Sequence, residues 1–302
     1  MTEPLRLDRT RQLGRSGITV STLAWGMWRF AGVGATQGAR LVHSALEAGI
    51  TLLDTADIYG FDGTGGFGDA EALLGEILAA EPGLRQRMVL VSKGGIRPPL
   101  PYDSSPAYLA EAIDASLARL RTDHLDCWLI HRPDILTHPQ EIARALDGAI
   151  AAGKVRSVGV SNFTQAQITA LSHFLGHPIA ATQPELSPLC LTTIVNGELD
   201  HAMVADIATM AWSPLGGGRI ANPTNEREQR VAAALDVVAS AHGVSREAAA
   251  CSWVMAHPAA PIAIIGTQNE ARIRDAANAW RVSWTRQSWY DVLVASRGER
   301  LP

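Results

Sequence analysis

Three ionisable residues end three successive apolar, β-rich runs: Asp54 after Ile50-Thr51-Leu52-Leu53, Lys93 at the close of 88–93, and His131 at the close of 125–131. An Asp and a Lys at neighbouring strand ends pair, and the pair keeps the amine protonated in a partly buried place. Tyr59 stands five residues past Asp54, in the segment Asp54-Thr55-Ala56-Asp57-Ile58-Tyr59-Gly60. A free phenol titrates near ~10 and is a poor acid at neutral pH. A neighbouring ammonium stabilises the phenolate, so Lys93 is expected to lower the Tyr59 pKa and make it a usable proton donor. His131 is then placed to orient a substrate oxygen or to share the proton. Such a set suits protonation of an oxygen on which negative charge develops, which is what a carbonyl needs while it accepts hydride. Taken singly, each residue has a plainer reading: a turn-capping Asp, a solvated Lys, an interface aromatic, a hydrogen-bonded core histidine. The joint reading is favoured by their order on consecutive strands.

The elements that must hold these residues alternate along the whole chain. Apolar runs at 22–25, 50–54, 88–93, 125–131, 155–161, 179–183, 207–212 and 262–265 have strand character. Between them lie helical patterns: one capped by Thr36, one at 69–80, one starting at Ser105-Pro106, and one carrying Ile142, Leu146 and Ile150. Further helices are predicted at 164–173, 198–205, 226–242, 245–256, 269–279 and 285–297. Eight strand–helix units in 302 residues point to an α/β fold, a (β/α)8 TIM barrel forming a single domain over 1–302. A hairpin around Gly14-Arg15-Ser16-Gly17 would plug one end, with extra helices before the eighth strand and at the C-terminus. Active sites of such barrels lie at the C-terminal ends of the strands. The later strands also stop at polar groups: Ser161-Asn162, Gln183, Trp212-Ser213 and Gly266-Thr267. Polar endings on seven strands read as one convergent pocket.

Composition narrows the function classes. Hydrophobic residues make up 47% and charged residues 19%, enough for a large core and too ordered a composition for general disorder. Twenty-six basic and 30 acidic residues give a formal charge of -4 with no like-charged block, so neither nucleic acid nor an anionic membrane is an expected partner. No apolar stretch approaches the ~18 residues of a membrane span. The opening segment MTEPLRLDRTRQLGRSG is charged and is not expected to act as a secretory signal. Cys127, Cys190 and Cys251 form no CxxC pair, which fits a reducing, cytoplasmic compartment and leaves the Asn162 sequon unused. Two short matches fail on context. The glycine-rich 63–68 fits GxGxxG but begins nine residues after its strand ends, and 148–154 fits GxxxxGK but is followed by Val155.

Across nearly its whole length the sequence resembles the aldo-keto reductase superfamily. LGRSGITVSTLAWGMW, LDTADIYG, VSKGG, LDCWLIHRPD, GKVRSVGVSNF, TQPELSPL, AWSPLGGGR and IIGTQNEARI follow in the family's order, nearest to its bacterial YdhF-type oxidoreductase branch. The resemblance implies a barrel that binds NADP(H), with Tyr59 as general acid, Lys93 and Asp54 tuning it, and His131 orienting the carbonyl. It implies that Ser161, Asn162 and Gln183 hold the nicotinamide carboxamide, and that Trp212 stacks on the ring where the family usually has Tyr. Ser213, Leu215, Gly216 and Gly218 match the loop over the pyrophosphate. Gly266, Thr267, Gln268 and Arg272 match the segment that meets the adenosine 2'-phosphate. Many members carry Lys at Gly266 and an acidic-Asn pair at Asp275-Ala276. Arg272 remains, and its fork can pair with a phosphate, which favours NADP(H) over NAD(H).

A small-molecule carbonyl compound is the expected partner, with Trp28, Phe30 and Trp128 as candidate walls of its pocket. Two other functions compete. A non-catalytic NADP(H)-binding regulatory module would need no activated phenol. A metal-dependent hydrolase would need ligands on the first strand, where Trp25-Gly26-Met27-Trp28 offers none. The natural substrate, the physiological direction, the oligomeric state and the role of the glycine-rich segment 61–68 are not written in these patterns.

Overall fold

Leu23, Ala24 and Trp25 pair in parallel with Ala263, Ile264 and Ile265, so the first barrel strand neighbours the last and the sheet closes on itself. The structure, a computed structural model, describes Leu5 and residues 7–301; parts of the charged opening segment therefore lie outside the described residues. An antiparallel pair, β1 (Thr10–Gln12) and β2 (Thr19–Ser21), precedes eight parallel strands. These are β3 (Leu23–Gly26), β4 (Leu52–Asp54), β5 (Val89–Gly94), β6 (Cys127–Ile130), β7 (Val158–Ser161), β8 (Ile179–Gln183), β9 (Ala208–Ala211) and β10 (Ile262–Ile265). Around them run α1 (Ala35–Glu47), α2 (Asp69–Ala80), α3 (Pro106–Leu120), α4 (Pro139–Ala151), α5 (Gln165–Phe174), α6 (Thr192–Val195) and α7 (Glu198–Ala205). Next come α8 (Glu226–His242), α9 (Arg246–Met255), α10 (Glu270–Ala276) and α11 (Arg286–Arg297). The expected (β/α)8 barrel with its hairpin and additional helices is what the chain forms.

Strand alternation sorts the core into two parts. Ala24, Leu52, Val91, Cys127, Leu129 and Met210 belong to the cluster inside the ring, joined by Leu13 and Val20 of the hairpin. Leu23, Trp25, Leu53, Leu90, Trp128 and Ile130 belong to the larger cluster beneath the helices. The hairpin can reach into the barrel end because Gly14, at φ +53, has no side chain; a Cβ there would lie 2.5 Å from the Ala180 carbonyl oxygen. Gly159 meets a similar limit inside the ring, where a Cβ would fall 2.4 Å from Leu129 Cδ2.

Caps explain most helix starts. Ser105, Thr164, Asn225, Ser245, Asn269 and Thr285 each accept a backbone N–H of the first turn. Thr36 does not: α1 begins at Ala35 behind Gly34, which takes φ 76 and needs no side chain to turn the chain. Three other expectations shift. Val155 forms only an isolated bridge with Leu125, and β7 starts at Val158, where the register with β8 slips. The helix predicted for 269–279 divides into α10 and a 3-10 turn, Ala277–Arg281. The short helix near 198–205 is preceded by a further one, α6.

Candidate active site

Two residues beyond the inward-facing Leu52, Val91, Leu129 and Ala181 come Asp54, Lys93, His131 and Gln183. The period of two therefore turns all four polar groups toward the barrel axis at its C-terminal rim. Lys93 is fully buried and sits just behind the cavity wall. Its Nζ donates to Asp54 Oδ1 and Oδ2, both at 2.8 Å, and to the Thr55 carbonyl at 2.7 Å. Gln183 Nε2 donates to Asp54 Oδ1 at 2.8 Å, so the carboxylate is held from two sides. Burial alone would lower the Lys93 pKa, but attraction to Asp54 and Tyr59 outweighs it and holds the amine above the usual lysine range. Lys93 is a fixed positive charge.

Tyr59 lies over that charge, with Nζ 4.8 Å from the ring centroid. The phenol ring meets His131 edge-on at 5.8 Å and Trp28 at 5.3 Å. Burial pushes the Tyr59 pKa above the ordinary phenol value, and Lys93 pulls against it without winning. This corrects the expectation of a more acidic phenol. Lys93 is held mainly by Asp54 and Thr55, and its charge and hydrogen bonding on Tyr59 are together smaller than the effect of burying the phenol. Tyr59 is thus firmly protonated at neutral pH. It gives up its proton only to a strong base such as an alkoxide.

His131 is buried, and burial together with Lys93 and Arg132 holds its pKa well below the histidine range. The imidazole is neutral. Its Nδ1 is buried without a partner among the described residues. With no acceptor beside Nδ1, the proton is better placed on Nε2, as a donor toward an incoming oxygen. In the loop between Asp54 and Tyr59, Asp57 is buried with neither carboxyl oxygen bonded among the described residues, and burial and Glu71 raise its pKa strongly. Its backbone N–H braces the segment by donating to the Lys93 carbonyl at 3.0 Å.

A second network leads away from this corner. Ser161 Oγ donates to the Gln183 carbonyl at 2.9 Å, Asn162 Nδ2 to Ser161 Oγ at 2.7 Å, and Trp212 Nε1 to Asn162 Oδ1 at 3.0 Å. Asn162 and Ser213 take φ of 59 and 53, a left-handed conformation that non-glycine residues adopt at a cost and that clusters at functional sites. All of this opens into a cavity of about 610 Å³. Asp54, Tyr59, His131 and Trp28 line one part of it. Ser161, Asn162, Gln183, Trp212 and Ser213 line it too, as do Leu215, Gly218, Gly266, Thr267 and Arg272.

Four expected site residues lie elsewhere. Trp128 is fully buried and sits between Cys127 and Leu129 in the strand, so alternation sends it under the helices. Phe30 is fully buried against Trp25, edge-on at 5.4 Å, because the turn after β3 carries it back into the outer core. Gly216 is buried, with the exposed Gly217 taking its place on the wall. The Gln268 amide is buried without a partner among the described residues and is not on the wall. Conversely Arg29, Arg132, Pro214, Glu247, Cys251 and Asp275 line the cavity. Arg29 and Arg132 each follow a residue already singled out, Trp28 and His131, and that adjacency was the available signal. Arg29 Nη1 lies 3.9 Å from where a Cβ on Gly266 would stand. Cys251 is an inert thiol, its pKa pushed by burial up to about 12. Among the described residues no group of His, Cys, Asp or Glu could hold a metal ion, and no helix is long and apolar enough to cross a membrane.

Comparison with known proteins adds an independent line. A family model described as the aldo/keto reductase family matches residues 22–292. A 6-dehydroglucose reductase of Novosphingobium aromaticivorans is 65% identical over 97% of this chain and 97% of its own length. A second 6-dehydroglucose reductase, from Agrobacterium fabrum, is 36% identical over 94% of this chain and 97% of its own. The oxidoreductase YdhF of Escherichia coli is 36% identical over 95% and 97%. Among solved structures, the thermostable aldo-keto reductase Tm1743, in complex with the inhibitor epalrestat, superposes with a TM-score of 0.82 at 22% identity, covering 95% of this chain and 99% of that one. That likeness concerns the fold.

Proposed function

The chain belongs to the aldo/keto reductase family, and from that premise we propose that it reduces the aldehyde of a sugar to an alcohol with NADPH, using Tyr59 as proton donor. The observation that carries the reading is the corner itself: a buried Lys93–Asp54 pair beneath a protonated phenol and beside a neutral imidazole, all facing one cavity. The 65% identical relative is named for a glucose oxidised at carbon six, and the same substrate class is proposed here.

The residues present fit a nicotinamide dinucleotide. Tyr59 and Arg272 both line the cavity, and between them in the chain come amide and hydroxyl groups that lie beside the indole of Trp212. Ser161, Asn162 and Gln183 would hold the carboxamide and Trp212 would flank the ring. Ser213, Leu215, Gly217 and Gly218 would cover the pyrophosphate. Gly266, Thr267 and Arg272 would meet the adenosine phosphate, and the Arg272 guanidinium, unpaired among the described residues, is the reason to prefer NADPH. When bound, the cofactor supplies hydride.

The chain's own groups do the rest. His131, neutral and donating from Nε2, orients the carbonyl oxygen against the Tyr59 hydroxyl. As negative charge gathers on that oxygen, the Lys93 ammonium stabilises it through the phenol, in a site from which water is largely excluded. Tyr59 passes its proton to the nascent alkoxide, and Lys93 stabilises the phenolate left behind. The three free cysteines accord with a reducing, cytoplasmic setting.

The test is turnover. NADPH should be consumed on adding gluco-hexodialdose, a glucose with an aldehyde at carbon six, and Tyr59→Phe should abolish consumption while still binding NADPH. Binding of NADPH without turnover of any aldehyde would sink the enzymatic reading and leave a binding module.

A further inference from the structure

Arg11, Arg85, Arg119, Arg132 and Arg246 are the half-buried arginines among the described residues. All but one find a side-chain partner or carbonyl acceptor within the chain. Arg11 donates to the Ala259 and Ala260 carbonyls, Arg85 pairs with Asp126, Arg119 with Glu71, and Arg246 with Asp236. Arg132 has no ion pair and no side-chain hydrogen bond among the described residues. It lines the cavity beside Tyr59 and His131, close enough for its charge to act on both.

Three acids line the same cavity, and none of them pairs with Arg132 among the described residues; Glu247 has no side-chain partner there, while the other two are held by other groups. Asp54 is bound by Lys93 and Gln183, and Asp275 by Ser245 and Asn278. The backbone at Arg132 is fixed. The N–H of His131 donates to the Gly94 carbonyl at 2.8 Å, and Pro133 restricts the residue before it. A guanidinium held in place at a reaction centre, partly withdrawn from water and lacking an acceptor, is costly unless a ligand supplies one. Its planar fork of donors matches a pair of neighbouring oxygens.

We propose that Arg132 is the specificity-determining residue for the aldehyde, its fork donating to adjacent hydroxyl oxygens of a polyhydroxylated substrate whose carbonyl lies between Tyr59 and His131. This rests on the sugar-aldehyde reading above. A hydroxylated substrate satisfies the guanidinium, whereas an apolar aldehyde of similar size covers it with carbon and leaves it unpaired. Sites built in this way discriminate strongly against the analogue that lacks the oxygens.

The experiment compares kcat/KM for gluco-hexodialdose, 4-nitrobenzaldehyde and the anionic succinic semialdehyde, in wild type and in Arg132→Met, Arg132→Gln and Arg132→Lys. In Arg132→Met the ratio of kcat/KM for the hexodialdose to that for nitrobenzaldehyde should fall about 30- to 100-fold, carried by KM rather than kcat. Arg132→Lys should recover part of the loss, since an ammonium keeps the charge without the fork. Arg132→Gln gives the same comparison should the Met variant fail to fold. An unchanged ratio overturns the inference and leaves the reductase reading intact. So does a loss confined to succinic semialdehyde, which would make Arg132 an anion site. Wild type that reduces none of the three aldehydes overturns both.

Discussion

Two regions of the cavity wall are built in opposite ways. At the reaction corner, Asp54, Lys93 and Gln183 come from β4, β5 and β8, are almost wholly buried, and satisfy one another at 2.8 Å. In the segment after β10, Gly266, Thr267 and Arg272 come from a loop and the first turn of α10, stay partly or fully exposed, and leave the Arg272 guanidinium without a partner among the described residues. Asp54, Lys93 and Gln183 are fully engaged with one another before any ligand arrives. The segment after β10 is an incomplete electrostatic surface that a phosphate would finish. Chemistry fixed in strands should therefore be sensitive to single substitutions and insensitive to the medium. Affinity held in loops should be adjustable in small steps.

The sharpest way to break the contrast is Lys93→Met. It leaves Asp54 buried with only Gln183 as partner, and losing one member of such a pair typically costs about 3–5 kcal/mol of stability. Chemical denaturation should register that loss, and reduction should fall by more than about a thousandfold in whatever protein remains folded. Tyr59→Phe comes next: turnover should drop about 10²- to 10⁴-fold with little change in the melting temperature or in the NADPH Kd. In the segment after β10, Arg272→Met should weaken NADPH about 10- to 100-fold by calorimetry and leave NADH nearly unaffected; equal losses for both would mean that Arg272 does not read the 2'-phosphate.

Smaller effects sharpen the comparison. Gly266→Lys adds a charge at an exposed loop already approached by Arg29, so NADPH affinity should rise by less than about tenfold, with kcat unchanged. The smallest effect is expected from pH. Because burial places the Tyr59 pKa above 10.0, the donor form persists through neutral and mildly alkaline solution, and His131 is already neutral there. Reduction should vary by less than about twofold between pH 7 and 9 and decline only as pH rises past the phenol pKa. A decline centred near pH 8 would show a phenol more acidic than its burial permits.

The sequence carried the barrel and the corner because both follow from period-two patterning. Once an apolar run ends in Asp54, Lys93, His131 or Gln183, those residues share a face with the inner core. The same rule, applied to Trp128, would have removed it from the substrate wall, since it stands one residue from Cys127 and one from Leu129. Phe30 and Gly216 were less legible, because turns carry no fixed period and a one-residue shift exchanges wall for core. The direction of the Tyr59 shift was hidden for a different reason. Charges can be read from residue types, but the extent of desolvation depends on everything packed around the oxygen. Adjacency to His131 could have placed Arg132 near the site but not marked it as a binding group, because an arginine declares its lack of a partner only when all its neighbours are known.

The seam between β3 and β10 has a consequence for biosynthesis. Residues 23–25 find their partners at 263–265, roughly 240 positions later, a delay on the order of ten to fifty seconds at ordinary rates of translation. Until then Asp54, Tyr59 and Lys93 exist as a sequence without an enclosing ring. A nascent chain of this protein emerges with an open sheet edge and with Trp25 and Leu23 uncovered, which is the interval in which chaperones would matter most to it.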